Sequence, residues 1–335
     1  MILVTGGTGL VGAHLLYKLA SNNEKIRAIY RSEQKLDVVK TVFSYYTNEI
    51  DSLYNRIDWV KADLLNIPDL TVTFKDISQV YHCAALVSFD PNDYVSLKRT
   101  NTHGTANIVN LCLSHNVKKL CYISSIATLG ESLTDAPINE NTFWNPEEDH
   151  NVYAITKYGA EMEVWRGTQE GLDAVIVNPG VILGGGIWNQ GTGDLFRRVN
   201  KGTKYYTNGI TGFIAVEDVV NIMTLLMATE TKNERYILVS EHWSFKQLLQ
   251  TIAKHLDVKV PQKQVQPWQA ELAWRLDWLR NKLTGKKRVL SKQLAQTINF
   301  KSTYSNAKIA TLLDYKWTPL EECIKNTSYQ FKNKK

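Results

Sequence analysis

The sequence predicts a doubly wound, parallel α/β sheet with a smaller, mainly helical carboxy-terminal lobe, on three observations. Its first stretch, Ile2 to Ala20, reads as an apolar strand, a glycine-rich turn and a helix. Strand-like and helix-like segments then alternate as far as Leu183, the pattern of repeated βα units joined by right-handed crossovers. From Gly184 the alternation breaks, and beyond Ser244 the chain is mostly helical, punctuated by Pro261, Pro267, Gly285 and Pro319. A chain of 335 residues suits one large α/β domain with an appended lobe and can bury an ample core. The expected division is 1–183 for the first domain, with 213–240 returning to it, and 184–212 plus 241–335 for the lobe.

The first strand, Ile2-Leu3-Val4, runs directly into Thr5-Gly6-Gly7-Thr8-Gly9-Leu10-Val11-Gly12, after which Ala13, Leu15, Leu16, Leu19 and Ala20 recur at helical spacing. Gly7, Gly9 and Gly12 fit G-x-G-x-x-G, and the frame Gly6, Gly9, Gly12 overlaps it. The first glycines permit a sharp turn, Gly9 lets backbone N–H groups approach a pyrophosphate, and Gly12 lets the helix sit close to the strand. A diphosphate would lie at the positive end of that helix, with Thr8, Leu10 and Val11 completing the turn. An ordinary glycine-rich βα turn is the bland alternative. The strand and helix on either side favour a dinucleotide-binding (Rossmann) unit.

The second strand, Ile26 to Tyr30, ends in Arg31 and Ser32. An acid about 20 residues beyond the glycines would hold the ribose 2′-OH of NAD, whereas an arginine pairs with the 2′-phosphate of NADP. Arg31 therefore favours NADP(H) over NAD(H), although Glu33 stands within reach of a ribose and a solvated Arg31 is the plain alternative. The third strand, Ile57 to Ala62, delivers Asp63 and Leu64 at its carboxyl end, and the fourth, Gln79 to Cys83, delivers Ala84 and Ala85. Ligands of an open parallel sheet sit beyond those ends. Asp63 suits an adenine amine or a helix N-cap, and the two alanines let a ribose or nicotinamide pack against backbone. His82, inside an apolar strand, reads as a hydrogen-bonded core histidine rather than a base.

A helical stretch from Asp93 to Ser114 carries Asn101, and the next strand, Leu120 to Ile123, ends in Ser124-Ser125. A further helix opens with Tyr153-Ala154-Ile155-Thr156-Lys157, and the strand Val175 to Val177 leads into Asn178-Pro179-Gly180. Tyr153 and Lys157, four apart, share a helix face. Ser125 sits at a strand end on the side where a nucleotide at Gly6 to Gly12 would bring its reactive ring. Hydride transfer to a carbonyl needs an acid to supply a proton and a donor to hold the oxygen. A free tyrosine, with a pKa of about 10, needs a cation such as Lys157 to favour its phenolate. Ser125 would orient the carbonyl and Tyr153 exchange the proton. Taken singly, each residue has a plain structural role; together behind a phosphate turn they point to catalysis.

Composition narrows the rest. Cys83, Cys112, Cys121 and Cys323 are scattered without metal-ligand spacing, so neither a zinc site nor a disulfide framework is expected. A formal charge of +6 does not call for nucleic acid. An apolar strand beginning at residue 2 leaves no room for a signal peptide, and no apolar run nears the roughly 18 residues of a membrane span, so a cytoplasmic protein is expected. In the tail, Trp268, Leu272, Leu276, Leu279 and Leu283 recur at helical spacing, flanked by Trp274 and Trp278 and followed by Arg280, Lys282, Lys286, Lys287 and Arg288. Packing on the main domain with solvated charges is favoured for this helix over contact with a membrane surface or with substrate phosphates.

In the order and spacing of these motifs, the sequence resembles the extended short-chain dehydrogenases/reductases, the superfamily of sugar-nucleotide epimerases and dihydroflavonol reductases. The resemblance covers residues 1 to 240 well and the tail loosely. It rests on the glycine turn, Asp63-Leu64, His82-Cys83-Ala84-Ala85, Asn101 with Gly104-Thr105, Ser124-Ser125 leading to Gly130, Tyr153 with Lys157, and Asn178-Pro179-Gly180-Val181-Ile182-Leu183-Gly184. It implies Ser125 rather than Ser124 as the catalytic hydroxyl, with Ser124 among the cofactor-binding residues, a water-relay role for Asn101, and Pro179 to Ile182, Val181 included, lining the nicotinamide. Arg31 and the run from Asn178 to Gly184 look more like the dihydroflavonol and aldehyde reductase branch than the epimerases. Thr156, where the family usually has serine, is a mild departure. A homodimer through Asp93 to Ser114 and Tyr153 to Thr168 is implied by the resemblance alone. Three readings follow: an NADP(H)-dependent reductase or dehydrogenase of a small carbonyl or alcohol, an NAD-dependent epimerase or dehydratase of a sugar nucleotide, and a non-catalytic NADP(H) sensor, against which Tyr153 and Lys157 argue.

Overall fold

The computed structural model describes residues 1–132, 136–286, 288, 290–297 and 299–334. Its strands, in chain order among the described residues, are β1 (Ile2–Thr5), β2 (Ile26–Tyr30), β3 (Ile57–Lys61), β4 (Gln79–His82), β5 (Lys119–Ile123), β6 (Ala174–Pro179), β7 (Val181–Leu183), β8 (Tyr205–Tyr206), β9 (Ile210–Ala215), β10 (Glu234–Leu238), β11 (Glu241–Ser244) and β12 (Lys263–Gln264). Seven of them form one wholly parallel sheet in the order β10-β6-β5-β4-β1-β2-β3. Its central strands are apolar on both sides because helices cover both faces: β1 and β6 are buried throughout, whereas β3 at the edge leaves Asp58 and Lys61 in solvent. This is the doubly wound α/β fold predicted. The order reverses at β1, which has β2 on one side and β4 on the other, so a crevice opens beyond their carboxyl ends.

On one face, Ala13 and Leu16 of helix Leu10–Ser21 pack with Val39 and Val42 and with Val219 and Met223 of helix Val216–Ala228. On the other, Ile108, Val109 and Cys112 of helix Gly104–Ser114 meet Ala160 and Val164 of helix Val152–Gln169. At Gly180 the chain leaves the main sheet. A Cβ there would lie 2.4 Å from the carbonyl oxygen of Gly212, so the chain entering β7 comes this close to β9 only because position 180 carries no side chain, while a Cβ on Gly212 would meet the Val239 side chain at 2.6 Å. β9 pairs parallel with β7 and antiparallel with β11 in a separate three-stranded sheet. β10 joins the main sheet beside β6. Phe196, Phe213, Leu248, Ile252, Leu320 and Ile324 form the core beneath the smaller sheet.

Two features depart from expectation. The stretch Asp93 to Ser114 is not one regular helix: a short α-helix, Tyr94–Leu97, passes through a π-helical turn, Lys98–His103, before helix Gly104–Ser114. The second is a correction. The leucine and tryptophan stripe of helix Pro267–Thr284 does not pack on the main domain: Trp268, Leu272, Leu276, Leu279 and Leu283 are all exposed. The helix instead docks on helix Lys292–Thr297 with Ala270 inward, and its Asp277 accepts the amide N–H of Leu290 at 3.0 Å. Lys287 of the basic run lies outside the described residues. No helix among the described residues is long and apolar enough to cross a membrane.

Candidate active site

The glycine turn is as tight as its sequence requires. Gly6 sits at φ +69°, a left-handed conformation glycine adopts without strain, and a Cβ on it would lie 2.6 Å from backbone atoms of Ala84. The amide of Gly9 donates to the carbonyl of Gly6 at 2.9 Å. A Cβ on Gly12 would lie 2.1 Å from that same oxygen, so the helix approaches the turn only as glycine allows. Helix Leu10–Ser21 starts at Gly9 with no side-chain cap and no acid in its first turn. Its terminal N–H groups, with Thr8, Leu10 and Val11 around them, thus suit a phosphate and meet no competing carboxylate. Ala84 donates its N–H to the Thr5 hydroxyl at 3.3 Å, and the Thr5 hydroxyl also contacts His82 Nδ1 at 2.6 Å, while His82 Nε2 reaches Thr105 at 3.0 Å. Burial pushes the His82 imidazolium down to about 3, so this ring is a neutral part of the core. Ala85 next to Ala84 is exposed.

At the ends of β2 and β3, Arg31 lies 3.8 Å from the half-buried Asp63 and Lys61 lies 3.5 Å from Glu33, with Arg31, Lys61 and Glu33 largely solvated. Asp63 Oδ1 accepts the N–H of Leu65 at 2.9 Å, a turn-forming bond. Leu64 is buried against Gly104, and its carbonyl accepts from Asn107 at 2.8 Å.

Ser125, Tyr153 and Lys157 converge beyond β5. Ser125 caps the short turn Ile126–Thr128 by accepting the N–H of Ala127 at 3.1 Å, and its hydroxyl is also within hydrogen-bonding reach of Tyr153. Tyr153 enters at the start of helix Val152–Gln169, which Asn151 caps by accepting the N–H of Ala154 at 2.9 Å. Burial pushes the Tyr153 phenol up to about 12, a rise that the Ser125 hydroxyl partly offsets. Lys157 is almost wholly buried and donates to the Tyr122 hydroxyl and the Ile123 carbonyl, both at 2.7 Å. Burial brings its ammonium down to about 7, against the opposing pull of the Glu161 charge. Phe89 packs edge-on to the Tyr153 ring, with centroids 5.7 Å apart.

Asn101 lies on the π-helical turn. Its amide donates to the Leu86 carbonyl and the Thr156 hydroxyl at 3.0 and 3.2 Å and accepts the N–H of Leu86 at 2.7 Å. The side chain thereby ties the loop after β4 to the helix bearing Tyr153. Pro179 is buried at the end of β6 and Val181 half-buried at the start of β7.

The sequence reading missed Glu161. This fully buried carboxylate accepts from Ser124 at 2.5 Å, Thr128 at 2.7 Å and Asn178 at 3.0 Å through one oxygen, and from Trp165 at 3.3 Å and Arg235 at 3.1 Å through the other. The Ser124 hydroxyl is therefore turned toward Glu161, and Asn178 also donates to the Ser125 carbonyl at 3.2 Å. The network fixes the strand end on which Ser125 stands. The available signal was spacing: Glu161 follows Tyr153 and Lys157 on the same helix face.

Residues 2–238 match the NAD dependent epimerase/dehydratase family. The chain is 29% identical to a putative dihydroflavonol 4-reductase of Synechocystis sp., across 84% of this chain and 78% of that protein. It is 25% identical to cinnamoyl-CoA reductase 1 of Petunia hybrida, across 71% and 72%. Among solved structures, the UDP-glucose 4-epimerase of Thermotoga maritima, described with UDP-glucose, superposes with a TM-score of 0.76 at 18% identity, covering 99% of this chain and 98% of that one.

Proposed function

Because the chain belongs to the NAD dependent epimerase/dehydratase family, an NAD(P)-dependent reductase or dehydrogenase of the extended short-chain type, we propose that it reduces a small aldehyde or ketone, or oxidises the corresponding secondary alcohol, with NADP(H). The observation that carries the proposal is the convergence of Ser125, Tyr153 and Lys157 at the carboxyl end of β5, on the crevice side of the sheet. The nucleotide would be held by Gly6, Thr8, Gly9, Leu10, Val11 and Gly12 at its phosphates and by Asp63, Leu64, Ala84, Ala85, Ser124, Pro179 and Val181 along its length. Arg31 would take the 2′-phosphate. Bound there, the nicotinamide supplies or accepts the hydride.

The remaining steps belong to the protein. The Ser125 hydroxyl donates to the carbonyl oxygen and holds it beside the Tyr153 hydroxyl. Tyr153 Oη then gives its proton to that oxygen as negative charge gathers there, and takes it back in the oxidative direction. A phenol near 12 resists this exchange; the Lys157 ammonium provides the positive charge that favours the phenolate. Asn101, bound to Leu86 and Thr156, ties the loop after β4 to the helix bearing Tyr153 and would hold the water through which the tyrosine exchanges its proton with solvent. The reductase names among the relatives favour a carbonyl substrate. The epimerase likeness keeps one alternative, a sugar nucleotide whose oxidation is transient.

An NADPH-oxidation screen across aldehydes, ketones and nucleotide sugars tests the class. Tyr153→Phe should lower turnover by about 10² to 10⁴-fold while NADPH affinity, read by calorimetry, stays nearly unchanged. Unimpaired turnover removes Tyr153 from the mechanism. Tighter binding of NADH than of NADPH overturns the role given to Arg31.

A further inference from the structure

We propose that helix Pro267–Thr284 is an interfacial anchor that seats the carboxy-terminal lobe on an anionic lipid surface. Trp268, Leu272, Leu276, Leu279 and Leu283 are between 44% and 75% exposed. At about 100° per residue they share an arc of about 80° on the helix. Ala270 and Asp277 face the other way, Ala270 being 4% exposed and Asp277 bonded to the Leu290 amide. An ordinary surface helix buries its apolar stripe and wets its polar side; this one does the reverse. A contiguous apolar stripe left in water marks an interaction surface.

Charge selects the occupant. Arg275 and Lys282 border the stripe on one side and Arg280 on the other. Between Asp277 and Asp314 the sequence has no acid, yet it carries Arg280, Lys282, Lys286, Arg288 and Lys292. The acids on the helix are already engaged, Glu271 with Arg275 at 2.6 Å and Asp277 with Arg280 at 2.6 Å, which leaves Lys282 and Lys286 exposed at its carboxyl end. Long basic side chains beside leucines reach headgroup phosphates while the leucines enter the acyl boundary, and tryptophans such as Trp268 and Trp278 suit that depth. Anionic headgroups neutralise the exposed Lys282 and Lys286 beside the stripe. Beyond the helix, the amide of Arg288 donates to Asp90 at 3.0 Å, and the ring of neighbouring Phe89 packs on Tyr153. The seated end of the lobe thus borders the loop over the candidate site. The inference holds whichever substrate that site takes.

Co-sedimentation of the full chain with vesicles tests it, using phosphatidylcholine alone and phosphatidylcholine with phosphatidylglycerol. Binding to the mixed vesicles should exceed binding to phosphatidylcholine by about tenfold or more and fall away at high salt. Leu276→Glu and, independently, Lys282→Glu should abolish most of it with melting temperatures unchanged, since both side chains lie in solvent. Lack of preference for the anionic vesicles, or binding untouched by both substitutions, overturns the proposal. So does a dimer in sedimentation velocity that Leu276→Glu dissociates, which would assign the face to a second copy.

Discussion

Lys157 shows how burial and function oppose each other at one residue. Its amine is held by Tyr122 and Ile123 at 2.7 Å, and burial brings it from 10.5 to about 7. Between those two values the unfolded chain keeps a proton that the folded chain has released, so stability contributed at this site rises with pH over that window. Below about 7 the folded protein carries the full penalty of a buried ammonium. Compared with Lys157→Met, the nucleotide-free parent should therefore gain stability on the order of 2 kcal/mol between pH 7 and pH 9, read by urea unfolding at each pH. A difference independent of pH would mean that the amine is fully charged when buried. The Tyr153 phenol, raised to about 12, is displaced upward, and two units correspond to about 2.7 kcal/mol against the phenolate. That is the barrier the Lys157 charge must overcome in the proposed reaction.

Among the elements, the strand–turn–helix at the start of the chain is where sequence and structure agree most closely, because the requirement is local. Gly6 and Gly12 answer to backbone atoms of the same turn and of Cys83 and Ala84 just after β4, and no other residue fits. Gly12→Ala should cost on the order of 1 to 3 kcal/mol through overpacking and remove NADPH binding, seen as a lowered melting temperature that NADPH no longer raises. Retained binding would free the helix start from the role proposed for it. The face shared by Tyr153 and Lys157 was equally legible, since four residues on a helix fix their alignment. Glu161 was not: Ser124, Thr128, Asn178 and Arg235 reach it from distant parts of the chain, and no local rule brings them together. Nor was the π-helical turn at Lys98–His103, which carries Asn101 and its bonds to Leu86 and Thr156. The tail helix teaches a further point. Periodicity from Trp268 to Leu283 revealed a stripe but not the side it would face, which depends on what lies beneath, and what lies beneath welcomes Asp277.

Across the whole molecule, the carboxy-terminal tail is joined to the helices of the main sheet by polar as well as apolar contacts. Asp218, on a helix covering the main sheet, is buried and accepts from the Tyr315 hydroxyl at 2.9 Å, the Thr318 amide at 2.9 Å and the Thr318 hydroxyl at 2.8 Å. Asp218→Ala strands all three donors and should cost about 3 kcal/mol, measured as a fall in melting temperature with faster proteolysis near residue 315. An unchanged melting temperature would show the tail to be held by apolar packing alone, through Ile309 in the main core and Leu320 and Ile324 beneath the smaller sheet.

The Glu161 network makes the end of β5 depend on the last strand of the main sheet. Its anion is buried when the Val152–Gln169 helix docks, yet its cationic partner, Arg235, arrives only with β10, the last strand of the main sheet. A buried carboxylate is costly unless paired, so Arg235 of β10 contributes to holding the end of β5 in place. The scaffold for Ser125 thus rests on a strand more than a hundred positions further along the chain.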